Sequence, residues 1–426
     1  MNELINVIQA NKNGLGGGIY SVCCAHPLVI EAALRQGLKD DSVVLIEATA
    51  NQVNQYGGYT NMKPTDFVNF VHEIAQNVGY PTNNIILGGD HLGPTSWTNL
   101  TADAAMEKSQ VLIESYVSAG FTKIHLDTSM QCSDDETPLT DEVVAKRAAI
   151  LCRVAEKTAM NKFGKSNLLY IVGTEVPPPG GAKEEIDTLE VTPVENVKET
   201  LETHQSVFID SGLQDAWKRV IGLVVQPGVE FDNFTVFPYI PEKAIELKKF
   251  AASTDRLVFE AHSTDYQPKA AYKQLVRDHF AILKVGPQLT FALREALFAL
   301  SLIEEVMVTR GDRSHLQSVC ENAMLEKPQS WNSFYPTDSD NLSLYTLYSF
   351  SDRIRYYWPH EEVSKAVDLL FANLSQHTIP LPLLSQFMPT QYTAVLEGKL
   401  NNSAKDLVLH NIMSVTQVYA DACMSE

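Results

Sequence analysis

Eight short β-rich apolar runs recur through the first 300 residues, and a longer amphipathic segment follows each of them. Strands that alternate with helices predict βαβ units and a parallel sheet. Eight such units in roughly 270 residues match the size of a (β/α)8 TIM barrel, typically ~250 residues. The runs are residues 18–23, 43–48, 84–89, 123–127, 168–173, 222–226, 257–261 and 281–286.

A doubly wound open sheet with a similar number of strands is the alternative arrangement. Two observations favour the barrel. No G-x-G-x-x-G sequence follows the first run, so the dinucleotide-binding fingerprint is absent. Polar residues also cluster at the C-terminal ends of nearly all eight runs, which is where a barrel builds its site. We therefore predict an α/β fold with a TIM barrel over residues 1–305.

The pattern changes after about residue 310, where no strand-like run continues the series. Helical patterns return over residues 360–376 and 404–423. Between them lies TIPLPLLSQFMPTQY, residues 378–392, which reads as a proline-rich turn region. We predict that residues 306–426 form a helical extension packed on the barrel.

Charge and cysteine content exclude several classes of protein. The formal net charge is −19, which argues against a nucleic-acid or acidic-membrane partner, because such partners need a basic patch. The six cysteines have no C-x-x-C and no even spacing, as expected for reduced thiols. The first residues lack the apolar region of a signal peptide, and no stretch approaches the ~18 apolar residues of a membrane span. These features predict a cytoplasmic protein.

The polar residues at the strand ends are the candidate functional groups. If the barrel forms, these side chains converge in one cup-shaped depression at the C-terminal end of the strands. A dense set of carboxylates and imidazoles is costly to bury unless the groups are paired, hydrogen-bonded or metal-bound. In strand order the candidates are His26, Glu47, Asp90 with His91, His125 with Asp127, Glu175, Gln226, Glu260 with His262, and Lys284 with Gly286.

Each candidate also has a structural interpretation. His26 precedes a proline at a helix start, so a capping role explains it equally well. Glu47 and Lys284 could simply form an ion pair across the cup. Residues two apart on a strand share a face, so one can orient the other without touching a substrate. This applies to His125 with Asp127 and to Glu260 with His262.

The eighth run carries a more specific sequence, LKVGPQLTFALREALF, residues 283–298. A lysine-bearing strand ends in Gly-Pro, and a helix then begins at Pro287, where a missing N–H costs nothing. The free N–H groups of that helix could hold a phosphate, at a position that barrel enzymes often use. A helix N-terminus with nothing bound explains the sequence as well.

Two stretches of the chain resemble the class II, zinc-dependent sugar bisphosphate aldolases. Residues 283–298 resemble their last strand and helix, and LGGDHLGP resembles their Asp-His pair, a catalytic acid followed by a zinc ligand. Over nearly its whole length the chain resembles the companion-subunit family of bacterial D-tagatose-1,6-bisphosphate aldolase. The stretches that carry this resemblance are residues 46–60, 87–94, 123–130, 173–182, 224–232, 259–267, 279–298 and 351–359.

The resemblance implies an accessory role in galactitol and N-acetylgalactosamine catabolism, through D-tagatose 6-phosphate. A separate catalytic subunit would cleave the bisphosphate, and this chain would support its activity and stability. Descriptions of the family as tagatose-6-phosphate kinases find no support in the sequence. There is no G-x-x-x-x-G-K-[ST] loop, and we expect no nucleotide cofactor.

The resemblance also implies a metal site that is only partly kept. A class II aldolase holds zinc, a Lewis acid, with three histidines. His91 and His262 match two of them, with Glu260 beside the second. Where the third should follow the sixth strand, the chain has Gln226, whose amide is a poor zinc ligand. Zinc or another divalent metal would need a replacement ligand, for which Glu175, Glu260 and His125 are candidates. Asp265 also stands where the aldolases have glycines that approach a phosphate.

Two functions follow, and the accessory subunit is the one that the resemblance favours. The alternative is a metal-dependent sugar-phosphate enzyme, either an aldolase or a 4-epimerase that works by retro-aldol cleavage and re-addition. Asp90 would be its acid/base and Glu47 or Glu175 a further base. Substrate contacts would come from His26, Asp127, Gln226, Lys284 and Gly286. An accessory subunit instead predicts an exposed apolar patch, involving the C-terminal helices or SDRIRYYWP, residues 351–359.

Overall fold

Eight parallel strands close into a barrel in the computed structural model of the protein, which describes residues 3–176, 189–336 and 340–424. Each strand pairs with the next one, and the last pairs with the first through Ile282 and Ile19. The predicted barrel and all eight predicted strands are confirmed. The strands are β1 Ile19–Val22, β2 Val44–Thr49, β3 Ile85–Leu92, β4 Lys123–Leu126, β5 Leu169–Val172, β6 Val220–Val224, β7 Val258–Ala261 and β8 Ile282–Val285.

Helices surround this barrel and connect its strands. Most strand side chains are buried, since alternate residues face the barrel interior and the helices. A two-stranded antiparallel pair, Glu230–Phe231 and Val236–Phe237, follows β6. The helices up to the end of the barrel are α1 Glu3–Lys12, α2 Pro27–Asp40, α3 Pro64–Val78, α4 Ala102–Ala119, α5 Asp141–Phe163, α6 Val194–Asp210, α7 Gln214–Trp217, α8 Ile245–Ala252, α9 Lys269–Arg277 and α10 Pro287–Met307.

The amino-terminal end of the barrel is closed by α1. Its buried Leu4 and Ile8 join an apolar cluster with strand residues that include Ile19, Leu45 and Leu169. This end of the barrel is therefore apolar. The polar groups of the strands are left to the opposite end.

The C-terminal part of the chain is helical, as predicted. Its helices are α11 Leu316–Glu326, α12 Leu342–Tyr348, α13 Glu361–Ser375, α14 Leu381–Phe387, α15 Pro389–Leu396 and α16 Ala404–Cys423. The predicted helices at 360–376 and 404–423 are confirmed as α13 and α16. The predicted turn region at 378–392 is wrong, because it contains α14 and half of α15. Both helices carry proline in their first turn, where proline is compatible with a helix.

The last helix, α16, packs against the barrel helices α2, α9 and α10. The Tyr419 ring lies 4.2 Å from the Tyr272 ring, and the Tyr419 hydroxyl donates to the Thr264 carbonyl at 3.1 Å. The extension is thereby fixed to the loop that follows β7. The predicted division after residue 305 falls in the last turn of α10 and stays a prediction. Among the helices of the described ranges, none is long and apolar enough to cross a membrane.

Candidate active site

Nine polar side chains from β2, β3, β4, β7 and β8, or from the residue directly after β4 and β7, meet inside the barrel, and each is at most 6% exposed. We call them the polar cluster. Those from β4 and β7 point the same way because they are spaced two residues apart, which is the strand repeat. The members are Glu47, Asp90, His91, Lys123, His125, Asp127, Glu260, His262 and Lys284.

A backbone irregularity brings two consecutive residues into this cluster. Neighbours on a regular strand face opposite sides, yet Asp90 and His91 both reach the cluster. The pairing of β3 with β4 shifts register between Gly89 and Leu92, and His91 has a left-handed backbone, with φ of 49°. Bulges and left-handed residues of this kind are over-represented at functional sites. The Asp-His pair thus occupies a locally strained position.

Three imidazole rings form a nearly equilateral triangle within the cluster. The ring centres are 5.2 Å apart for His91 and His125, 5.1 Å for His91 and His262, and 5.3 Å for His125 and His262. The third imidazole therefore comes from β4. It does not come from the end of β6, where Gln226 stands and accepts hydrogen bonds from the backbone N–H groups of Gly228 and Val229.

Each of these imidazoles is bonded to one carboxylate. The distances are 2.7 Å from His91 Nδ1 to Asp127, 2.9 Å from His125 Nδ1 to Asp90, and 3.0 Å from His262 Nε2 to Glu260. One nitrogen of each ring is left over, and for His125 it is a buried Nε2 without a hydrogen-bond partner in the described structure. Metal-binding histidines show this pattern, in which the second nitrogen is held by a carboxylate.

The donor atoms lie close enough to hold one ion. Single ligand atoms of Asp90, His125, Glu260 and His262 all lie within 4.8 Å of one another. Two ligands of one tetrahedral zinc lie roughly 3.4 Å apart, so small side-chain movements would close the set. Histidine and carboxylate donors suit zinc and similar divalent ions. The residues therefore fit a divalent metal, as the class II aldolase resemblance implies.

The predicted ligand set differs from this group in part. Glu260 and His262 belong to both, whereas His91 lies beside the group with its Nε2 3.7 Å from Asp90 Oδ2. The metal role of His91 stays a prediction. The sequence interpretation assigned Asp90 no ligand role and missed Lys123. The signal for Lys123 is its two-residue spacing from His125 on β4.

Two lysines tie the carboxylates together. Lys123 Nζ lies 2.5 Å from Glu47 and 2.6 Å from Glu260, and Lys284 Nζ contacts Glu47 and lies 2.9 Å from Asp90. Glu47, predicted as a base, is thus held between two ammonium groups. Four carboxylates (Glu47, Asp90, Asp127, Glu260) against two lysines leave a net charge of −2 when the imidazoles are neutral. A divalent cation would neutralise this buried excess.

The pKa values in the cluster are set by burial against these partners. Burial raises the pKa of Asp90, but His91 and Lys284 outweigh it and hold that pKa well below its ordinary value. Burial lowers the pKa of His262 to about 4, so its ring is neutral at neutral pH. For His91, burial lowers the pKa, but Asp90 and Asp127 raise it to a net value above the ordinary one. Asp90 is therefore an ionised carboxylate; the protonated form of His91 is favoured beside it, and the ring of His262 is neutral.

A cavity of about 350 Å³ opens onto the cluster. This volume lies in the range of small-molecule sites. Asp90, His91, His262 and Lys284 form its polar floor. His26, Gly286 and the aromatic rings of Tyr59, Tyr356 and Trp358 contribute to its walls.

Three predicted residues make their hydrogen bonds away from the cavity. Glu175 accepts hydrogen bonds from Thr192 and Asn196 at 2.5 and 2.7 Å. The Gln226 side chain accepts a hydrogen bond from the backbone N–H of Gly228 in the turn that follows it. The Asp127 carboxylate is hydrogen-bonded to Nδ1 of His91. The described cavity wall includes none of the three, and it does not include Glu47 either. Their predicted catalytic and substrate-binding roles stay predictions without a cavity contact.

The predicted phosphate position at the start of α10 is filled by the chain itself. Asp265 Oδ1 accepts hydrogen bonds from the backbone N–H groups of Gly286 at 3.0 Å and Gln288 at 2.8 Å. A carboxylate at a helix N-terminus takes the donors that a phosphate would use. Burial raises the pKa of Asp265 to about 6, and these backbone hydrogen bonds oppose the shift.

Comparison with known proteins gives one family. The family model for the D-tagatose-1,6-bisphosphate aldolase subunit GatZ/KbaZ-like proteins matches residues 4–424. The crystal structure of a probable tagatose 6-phosphate kinase from Sinorhizobium meliloti 1021 is 46% identical, and the match covers 95% of this chain and 100% of that one, with a TM-score of 0.88.

More distant structures include two enzymes. The fructose-bisphosphate aldolase of Campylobacter jejuni is 15% identical over 88% of this chain and 92% of its own, with a TM-score of 0.47. The fructuronate-tagaturonate epimerase UxaE of Cohnella laeviribosi is 11% identical over 97% and 82%, with a TM-score of 0.46. Scores below 0.5 support no inference about this chain.

Proposed function

The chain belongs to the D-tagatose-1,6-bisphosphate aldolase subunit GatZ/KbaZ-like family, and we propose that its own barrel is a metal-dependent site for aldol chemistry on ketohexose phosphates. The observation that carries this proposal is the imidazole triangle, in which a carboxylate holds one nitrogen of each ring and a nitrogen of His125 is left buried and unpartnered. A scaffold has no need of such a costly arrangement.

The chemistry divides between a metal and the chain. His125, His262 and Glu260 would hold a divalent ion, with Asp90 and His91 beside them, and the ion would supply Lewis-acid polarisation of the ketose carbonyl. Asp90 Oδ1 already faces His125 and Lys284. We assign Asp90 Oδ2 as the atom that accepts the proton of the C4 hydroxyl when the C3–C4 bond breaks, and returns it when the bond re-forms.

The product depends on whether, and through which face, the aldehyde fragment adds back to the remaining fragment. If the aldehyde fragment leaves the cavity, C3 of the remaining fragment, which keeps the electron pair of the broken bond, takes the proton from Asp90, and the reaction is cleavage. If it rotates and adds through its other face, C4 is inverted and the reaction is a 4-epimerisation. The aromatic walls formed by Tyr59, Tyr356 and Trp358 favour retention of the fragment, because they shield the cavity from water.

The second candidate is the accessory role, in which this chain supports a separate catalytic subunit in galactitol or N-acetylgalactosamine catabolism. The family description as a subunit favours it. Exposed apolar side chains at the end of α10 and on α11, Val306 at 63% and Leu325 at 47%, offer a contact surface. In this reading the polar cluster stabilises the barrel.

The experiment that separates the two is turnover by the purified chain alone. D-tagatose 6-phosphate and D-tagatose 1,6-bisphosphate are each supplied with zinc, and both cleavage products and C4 epimers are measured. The proposal expects conversion without a partner, and its loss on chelation. If conversion occurs only when a catalytic subunit is added, the accessory role is correct and the proposal is wrong.

A further inference from the structure

The C-terminal segment that was expected to form a docking surface instead closes the cavity. Ser351 to Ile354 are buried, and the next residues, Arg355, Tyr356 and Trp358, form part of the cavity wall. The Tyr356 ring lies 4.6 Å from that of Tyr59, and the Trp358 ring lies 6.2 Å from that of His26. The extension therefore contributes directly to the site.

Arg355 carries a charge that no carboxylate pairs with directly, although Asp352 and Asp265 lie near enough to interact with it. Its Nη1 donates to the carbonyls of Ser351 and Asp352, and its Nη2 lies 3.3 Å from the Tyr356 hydroxyl. Within the described ranges it has no ion pair. Arg294, by contrast, lies 2.8 Å from the Asp352 carboxylate. A guanidinium held by carbonyls keeps donors for a bidentate anion.

The other cation in the cavity wall is already committed. Lys284 is paired with Glu47 and Asp90. Of the lysine and arginine side chains in the described wall, Arg355 alone is left to bind an anionic group of a ligand. One cation without an ion pair can bind one phosphate group of a ligand.

The position that would take a second phosphate is blocked. The N–H groups of Gly286 and Gln288 at the start of α10 are bonded to Asp265, and Asp265 also lines the cavity. A phosphate brought to this point would meet a carboxylate instead of free donors, and close like charges repel each other.

Resting on the proposed function, we propose that Arg355 binds the single phosphate of the substrate while Asp265 excludes a second, so that the site takes a ketohexose monophosphate in preference to a bisphosphate. Arg355 is then a specificity residue supplied by the extension, and Asp265 is an internal substitute for the missing anion.

The test is calorimetric titration of the full chain with D-tagatose 6-phosphate, D-tagatose 1,6-bisphosphate and D-tagatose. The wild type is expected to bind the monophosphate at least tenfold more tightly than the other two. Arg355→Met should weaken monophosphate binding by about ten- to a hundredfold, to the level of the free sugar, because charge-assisted hydrogen bonds are lost. The monophosphate affinity of Arg355→Lys should lie between those of the wild type and Arg355→Met. Arg310→Met changes an exposed arginine and should bind the monophosphate as tightly as the wild type.

Asp265→Asn tests the second half of the proposal, because the amide oxygen can still accept from the helix while the charge is gone. Its affinity for the bisphosphate should rise about tenfold. The inference is overturned if Arg355→Met binds the monophosphate like the wild type, if the wild type prefers the bisphosphate, or if it binds no sugar phosphate. Turnover is measured in the separate assay described under the proposed function. Arg355-dependent binding without turnover would refute the proposed function and support this inference.

Discussion

His125 Nδ1 lies 2.9 Å from Asp90 Oδ1, and the opposite nitrogen of the same ring is buried without a partner in the described structure. An unsatisfied buried nitrogen costs free energy, typically ~1–3 kcal/mol. A metal ion would satisfy it and would also balance the net negative charge of the polar cluster. The contact between Asp90 and His125 thus connects the end of β3, which carries the Asp-His motif, with β4, which supplies the third imidazole.

Asp90→Asn should abolish most turnover without unfolding the chain. The amide has the same shape, but it cannot take up the hydroxyl proton, and it weakens the contact with Lys284. Loss of a general base typically costs ~10²–10⁴-fold in rate. The measurement is kcat with D-tagatose 6-phosphate, alongside circular dichroism to confirm folding. Asp215→Asn, at an exposed residue on α7, is the control and should retain wild-type kcat. Wild-type turnover by Asp90→Asn would remove Asp90 from the mechanism.

His26 should make the protein less stable as the pH falls. Burial lowers its pKa to about 4 from an ordinary value of 6.5. The unfolded chain therefore binds a proton at this position below pH 6.5 while the native state does not until about pH 4. Stability contributed by the neutral ring is present above pH 6.5 and is lost between pH 6.5 and 4. Because His26 is only partly shielded from solvent, the loss is discounted to roughly 1–2 kcal/mol.

Asn at position 26 can retain the helix cap without the titration. The Nδ1 of His26 accepts from the Leu28 N–H at 3.3 Å, and an Asn oxygen can do the same. Urea unfolding of the wild type and of His26→Asn from pH 7 to 4 measures the difference. The variant should lose less stability over this range. Parallel curves would show that His26 does not titrate as described.

Gly88→Ala should disturb the polar cluster through packing alone. A Cβ at this position would lie 2.6 Å from Glu47 Oε1, in the space that the Glu47 side chain fills. The ion pairs of Glu47 with both lysines would have to shift, and overpacking of this kind typically costs ~1–3 kcal/mol. Gly311→Ala, where a Cβ meets no atom within 4 Å, is the control. Equal unfolding midpoints for the two variants would contradict this packing.

The barrel could be predicted from sequence because each strand and helix carries its own local pattern. The eight apolar runs and the switch to helices after residue 310 need no long-range information. The helices α14 and α15 were missed because their prolines suggest a turn, although proline is compatible with a first helical turn. The site was harder to predict. Sequence spacing places His125 and Asp127 on one face, yet only closure of the barrel shows that His125 forms a triangle with His91 and His262.

The role of the extension lay beyond local patterns altogether. Nothing near Arg355 indicates that it reaches the barrel cavity, because this depends on how residues 351–359 pack across the top of the barrel. For Asp265 the resemblance indicated a place near the phosphate position, but its hydrogen bonds to the N–H groups of Gly286 and Gln288 join two strand ends and could not be predicted from local sequence. Glu175 and Gln226 also stand at strand ends, yet their side chains bond to neighbouring loop groups and not to the cavity.

The most direct test is the number of divalent ions bound per chain. The wild type, His125→Asn and His204→Asn are stripped with chelator, dialysed against zinc and measured by elemental analysis. His204 is a buried histidine on α6, outside the polar cluster, and serves as the matched control. The structure predicts one ion per chain in the wild type and in His204→Asn, and none retained in His125→Asn. A wild-type chain that binds no ion, or a His125→Asn variant that binds as well as the control, would contradict the metal site.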